Sequence, residues 1–108
     1  MEKKVCMISQ PMRGISDEEI LKAREAAIKE IEAAGYEFLS TFFTEDDPRA
    51  KVPHDVKCVP LCYLSNSLKE LSKCDAIYLC KGWSNARGCR IERDCALEYG
   101  ITVLGAEE

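Results

Sequence analysis

Two short stretches of this chain hold the residue types that could do chemistry. Ser9-Gln10-Pro11-Met12-Arg13-Gly14 places a hydroxyl, an amide and a guanidinium in a loop punctuated by Pro11 and Gly14. A loop that opens toward a helix N-terminus suits an anion, because free N–H groups and the positive end of the dipole meet it there. Arg13 would add a forked, charge-assisted contact to a phosphate. The second stretch, Gly82-Trp83-Ser84-Asn85-Ala86-Arg87-Gly88-Cys89-Arg90-Ile91-Glu92, runs from a loop into the first turn of a helix. Glu92 is the candidate catalytic carboxylate. Ser9, Gln10, Arg13 and Gly14 are the candidate ligand-binding residues of the first loop, and Gly82, Trp83, Arg87 and Gly88 those of the second. Each has a plainer reading beside it. A Glu in a first helical turn is favoured by the dipole alone, Arg87, Arg90 and Arg93 would make an ordinary solvated face, and Trp83 is either a stacking platform or the lid of a core.

Such residues need elements to position them. The apolar run VCMIS, within Lys4 to Ser9, predicts a first strand. Ser16 with Glu19 forms a capping box, so a helix begins near Asp17. Ile20, Ala23, Ala27, Ile28 and Ile31 keep helical spacing, and Gly35 stands where a C′ glycine would end it. Tyr36 to Phe43 predicts a second strand. Thr44 to Pro60 is polar and broken by Pro48, Pro53 and Pro60, which predicts a long loop of the kind that often carries function. Leu61, Leu64, Leu68 and Leu71 mark one face of a second helix, and Ala76 to Cys80 a buried strand. After the loop Lys81 to Gly88 come a third helix from about Cys89 to Tyr99, closed by Gly100, and a last strand over Ile101 to Leu104.

This alternation of strands and helices predicts an α/β, flavodoxin/Rossmann-like three-layer sandwich. Its four-stranded parallel sheet has the order 2-1-3-4, with helices on both faces and right-handed crossovers. Ligands in such folds bind outside the carboxyl ends of the strands, where the loops after strands 1 and 3 converge. Those are the two stretches described above.

At 108 residues the chain is expected to form one domain over 1–108. No apolar run is long enough to span a bilayer and no signal-peptide core precedes the first strand, so a cytoplasmic protein with no membrane partner is expected. A formal charge of −4 argues against general nucleic-acid binding but leaves room for a small anion held by a local cluster of donors. Seven cysteines, at 6, 58, 62, 74, 80, 89 and 95, lack tight pairing and read as free thiols. His54, Cys58 and Cys62 stand four residues apart, as on one helix face, but Pro53 and Pro60 interrupt them and no fourth ligand is near, so no metal is expected. Cys89, at a helix N-terminus, is placed for a lowered thiol pKa. The single histidine lies in another region, which argues against a Cys–His pair.

The order of motifs adds to this reading. Cys74-Asp75-Ala-Ile-Tyr-Leu, then Gly88-x-x-x-Glu92-x-x-x-Ala96, then Gly100-Ile-Thr-Val resembles the nucleoside 2-deoxyribosyltransferase superfamily. Ser9, Arg13 and Gly14, as Ser-x-x-x-Arg-Gly, are similar to the phosphate loop of its deoxynucleoside 5′-monophosphate N-glycosidase branch. The likeness covers nearly the whole chain and extends to short bacterial and phage-type domains of unknown function in that superfamily. It implies N-glycosidic chemistry, in which Glu92 matches the nucleophile that attacks the anomeric carbon and water or a second base resolves the intermediate. It implies a 5′-phosphate held by Ser9, Arg13 and Gly14 with help from Arg87, a supporting Asp75, no cofactor, and a homodimer or higher homo-oligomer. The partner it implies is a small-molecule nucleoside or nucleotide. The chain departs from the pattern at two positions. Ser67 stands where relatives carry a second carboxylate, and Ala86 where a polar loop residue is usual. Either another group protonates the leaving base, or the chain is a nucleotide-binding sensor or sequestering module that does not cleave.

Overall fold

The computed structural model describes residues 4–40 and 47–107. Its elements run β1 (Val5–Ser9), α1 (Asp17–Ala33), β2 (Glu37–Leu39), a 3-10 turn (Pro48–Ala50), α2 (Val59–Leu71), β3 (Ala76–Leu79), a second 3-10 turn (Trp83–Asn85), α3 (Arg87–Glu98) and β4 (Thr102–Gly105). The four strands form one all-parallel sheet in the order β2-β1-β3-β4. The expected architecture and strand order are those observed.

The local rules that predicted α1 are visible at both ends. Ser16 caps its start, its hydroxyl accepting from the Glu19 N–H at 3.2 Å. At its close, the Gly35 N–H bonds Glu32 O and the Tyr36 N–H bonds Ile31 O, the paired arrangement that a left-handed residue makes possible. Gly35 takes that conformation at φ 89°. Pro60 sits in the first turn of α2, where its missing N–H costs nothing, so the helix begins two residues ahead of Leu61. Likewise α3 starts at Arg87 and not near Cys89, which draws Gly88 into its first turn. Of the second strand expected over 36–43, Glu37–Leu39 is strand, while 41–43 and the first part of the 44–60 loop lie outside the described residues.

Strand periodicity sorts the core into two layers. Cys6 and Ile8 of β1, with Ala76 of β3, turn to the α1 side and meet Ala27 and Ile31. Met7, Ile77 and Leu79 turn to the opposite face, where Leu71, Cys89 and Ala96 of α2 and α3 cover them. All seven cysteines are free thiols, four of them buried. No helix among the described residues is long and apolar enough to cross a membrane.

Candidate functional site

Alternation along β1 decides what each residue at its carboxyl end faces. Ser9 follows the parity of Met7 and points to the α3 side, while Gln10 follows Ile8 toward α1. The Ser9 hydroxyl donates to Glu92 Oε1 at 2.7 Å, joining residues 83 apart in sequence. Gln10 Nε2 donates to Ile20 O at 2.6 Å, and its Oε1 accepts from Arg24 Nη1 at 3.2 Å. Gln10 therefore ties the first loop to α1 while still touching the cavity beside it.

That cavity, about 650 Å3, lies between residues 10–15 and 81–92, at the switch point between β1 and β3. Arg13, Lys81, Arg87 and Arg90 stand exposed around it, and Glu92, 7 % exposed, lies at its floor. Gly82 turns the chain out of β3 at φ 89°, a left-handed conformation that favours glycine, and a Cβ there would lie within ordinary contact distance of Pro11 across the loop. The α3 N-cap, Ala86, makes no side-chain cap hydrogen bond, and no acidic residue occupies the first turn. The turn's N–H groups at Gly88 and Cys89 thus border the cavity with the positive end of the dipole unneutralised by a carboxylate. Arg90 is pinned by its Nη1 on Ser84 O at 2.8 Å.

Burial pushes the Glu92 carboxyl above the usual carboxylate range, and the Ser9 hydrogen bond offsets part of that rise. Ser9 is its single hydrogen-bond partner among the described residues, so the second oxygen stays available to whatever enters. Cys89 sits one turn before Glu92 on the same helix. Its expected low thiol pKa is not found, because burial raises it more than the Ser9 hydrogen bond lowers it.

Among the residues proposed from sequence, the structure brings Gln10, Arg13, Gly82, Arg87, Gly88 and Glu92 to the cavity. Ser9 lies beneath it, 2 % exposed, engaged with Glu92 and not open to a phosphate. Gly14 contributes its turn at φ 78° and not a cavity wall. Trp83 belongs elsewhere: its ring packs against the core on the α3 side and lies under the Arg93 guanidinium, 5.2 Å away, which is the core-lid alternative. Asp75 lies at the amino end of β3, where Oδ2 accepts from the Val5 N–H at 2.8 Å and so braces the sheet at the end away from the cavity. His54 and Cys58 precede α2 while Cys62 lies within it, so their spacing does not share one helix face. Lys81 and Arg90 were not singled out as ligand contacts from sequence. Their signal was available in the place of Lys81 just past a buried strand and in the three-residue step from Arg87 to Arg90.

Taken together, the doubly wound parallel sheet and the carboxylate-floored cleft at its switch point define an α/β protein whose switch-point cleft is rimmed by cations. The chain belongs to the family described as Domain of unknown function (DUF4406), which matches residues 4–105. No curated protein and no solved structure matches it.

Proposed function

We propose that the cavity binds a nucleoside 5′-phosphate and that Glu92 cleaves its N-glycosidic bond, by hydrolysis or by transfer of the sugar. The observation that carries this reading is the Glu92 carboxyl itself. One oxygen is held by Ser9, the other has no hydrogen bond among the described residues, and the residue lines a cavity rimmed by cations, where burial raises its pKa. In the first step an oxygen of ionised Glu92 bonds to C1′ while the bond from C1′ to the base breaks, the electron pair leaving on the base nitrogen, which takes a proton. Water or a second base then adds to C1′ and returns the carboxylate. Arg13, on the loop after β1, supplies the phosphate contact. The resemblance to nucleoside 2-deoxyribosyltransferases supports the same assignment of Glu92.

The test is incubation of the protein with deoxynucleosides and their 5′-monophosphates, with chromatography for free base. Wild type should release base, and Glu92→Ala should lose at least ~1,000-fold of that rate, the scale of removing a nucleophile. Full activity in Glu92→Ala would end the mechanism.

A second reading has its own observation. Glu92 is the only carboxyl among the described residues lining the cavity, so no second acid stands there to protonate a departing base. On that reading the chain is a nucleotide-binding module, and nucleotides raise its melting temperature by mass action with no base released.

A further inference from the structure

We infer that the ligand of this cavity carries two linked phosphates, the second held by Arg87, Arg90 and the open first turn of α3. The inference rests on the nucleotide reading above and narrows its substrate class to nucleoside diphosphates or their esters.

The argument is one of charge and placement. The chain carries 19 acidic and 15 basic residues, yet the cavity gathers Arg13, Lys81, Arg87 and Arg90 against Glu92 alone. None of these four cations pairs with a carboxylate among the described residues. Four cations against one carboxylate leave an excess of positive charge that a phosphate monoester, at about −1.5 to −2, answers only in part. The cations also stand on two walls. Arg13 belongs to the loop after β1, while Arg87 and Arg90 are one turn apart on α3, with Lys81 at the end of β3. Side chains three residues apart on a helix have Cβ atoms roughly 5–6 Å apart, close enough to hold one phosphate between them. Arg90 is already fixed by Ser84 O, so its remaining N–H donors are held in place before a ligand arrives. The uncapped N–H groups at Gly88 and Cys89 add a dipole contribution at the same wall. A cavity of about 650 Å3 leaves room for the longer ligand.

The experiment is calorimetric titration and thermal shift of the full chain with deoxyadenosine 5′-monophosphate, deoxyadenosine 5′-diphosphate, inorganic phosphate and pyrophosphate, at two salt concentrations. The expected result is that each diphosphate binds about tenfold or more tighter than its monophosphate and loses affinity more steeply with salt. Arg87→Gln, whose side chain is exposed and makes no structural bond, should lower diphosphate affinity about tenfold and monophosphate affinity by less, and so erase most of that preference. Equal affinity for mono- and diphosphates would overturn the inference and leave the nucleotide reading standing. Failure of all four anions to bind would overturn both.

Discussion

Among the described residues two carboxylates are buried on helices, and the molecule treats them in opposite ways. Glu70, on α2, is 3 % exposed, and Glu92, on α3, is 7 % exposed. Burial alone would push both up. At Glu70 the hydrogen bonds from Lys73 Nζ at 3.0 Å and Arg49 Nη1 at 3.3 Å, with their charges, more than reverse it, and the carboxyl falls below its ordinary range. Arg49 is itself anchored by Asp47 at 2.7 Å and by Ser40 O at 2.8 Å, so Glu70 meets a preset partner. At Glu92 a single hydroxyl is the partner, and burial prevails. Depth is therefore not what separates the two carboxylates. The number and charge of its partners decide, and a buried carboxyl left with one neutral donor in a cleft keeps bonding capacity for a ligand.

Breaking the paired carboxylate should have the largest effect on stability. Glu70→Ala removes the acceptor that joins the 47–50 turn to α2, and should cost about 2 kcal/mol at neutral pH, the scale of lost hydrogen bonds to charged groups. Because the folded-state pKa of Glu70 is depressed, its contribution is fully present above the ordinary carboxylate pKa and is lost as pH falls through the folded value. Denaturant titrations of wild type and variant should therefore converge in acid. An equal gap at pH 7 and pH 3 would mean the packing of Glu70, and not its ion pairs, sets the cost.

Ser9→Ala comes next. It leaves Glu92 Oε1 buried without its donor, and should cost about 1.5 kcal/mol at neutral pH. The same change removes the one interaction that holds the Glu92 pKa down, so the ionisation should move to higher pH. A melting-temperature profile against pH, run beside Ser9→Cys, would show it. An unmoved profile with the same loss of stability would make Ser9 a packing residue only.

How far this contrast was legible in the sequence follows from the range of each interaction. The capping pair Ser16 and Glu19, the terminator Gly35 and the alternation of elements are local signals, and they led to the right sheet order. Glu92 and Ser9 were each visible as residues in loops at the sheet's carboxyl end, but their hydrogen bond spans 83 positions and follows only from strand parity and the seating of α3. The same parity sends Gln10 toward Arg24, a consequence that was available from Met7 and Ile8 but needed the orientation of α1. Trp83 illustrates the opposite case. Whether its ring covers the core or lines the cavity depends on the left-handed Gly82 and the 3-10 turn after it, and no periodicity encodes that choice. The Arg49–Glu70 bridge crosses 21 residues from an irregular segment and leaves no pattern at all.

The smallest effect is the sharpest test of the comparison, because its sign is opposite to the others. Glu92→Gln keeps an oxygen for the Ser9 hydroxyl and nearly the same volume, and removes only the charge. Since the folded-state pKa of Glu92 lies above its ordinary value, the folded protein holds the proton longer than the unfolded chain does. Below the ordinary carboxylate pKa, about 4.3, both states are protonated and the charge costs nothing. As pH rises through the folded value, stability declines until the full burial cost is felt. The Gln variant escapes that decline. It should be more stable than wild type at pH 7, by about 1 kcal/mol, the scale of a single stabilising replacement, and the gap should close toward pH 4. Equal stability across that range would mean that Glu92 is as well accommodated as Glu70, and the distinction between the two carboxylates would fall.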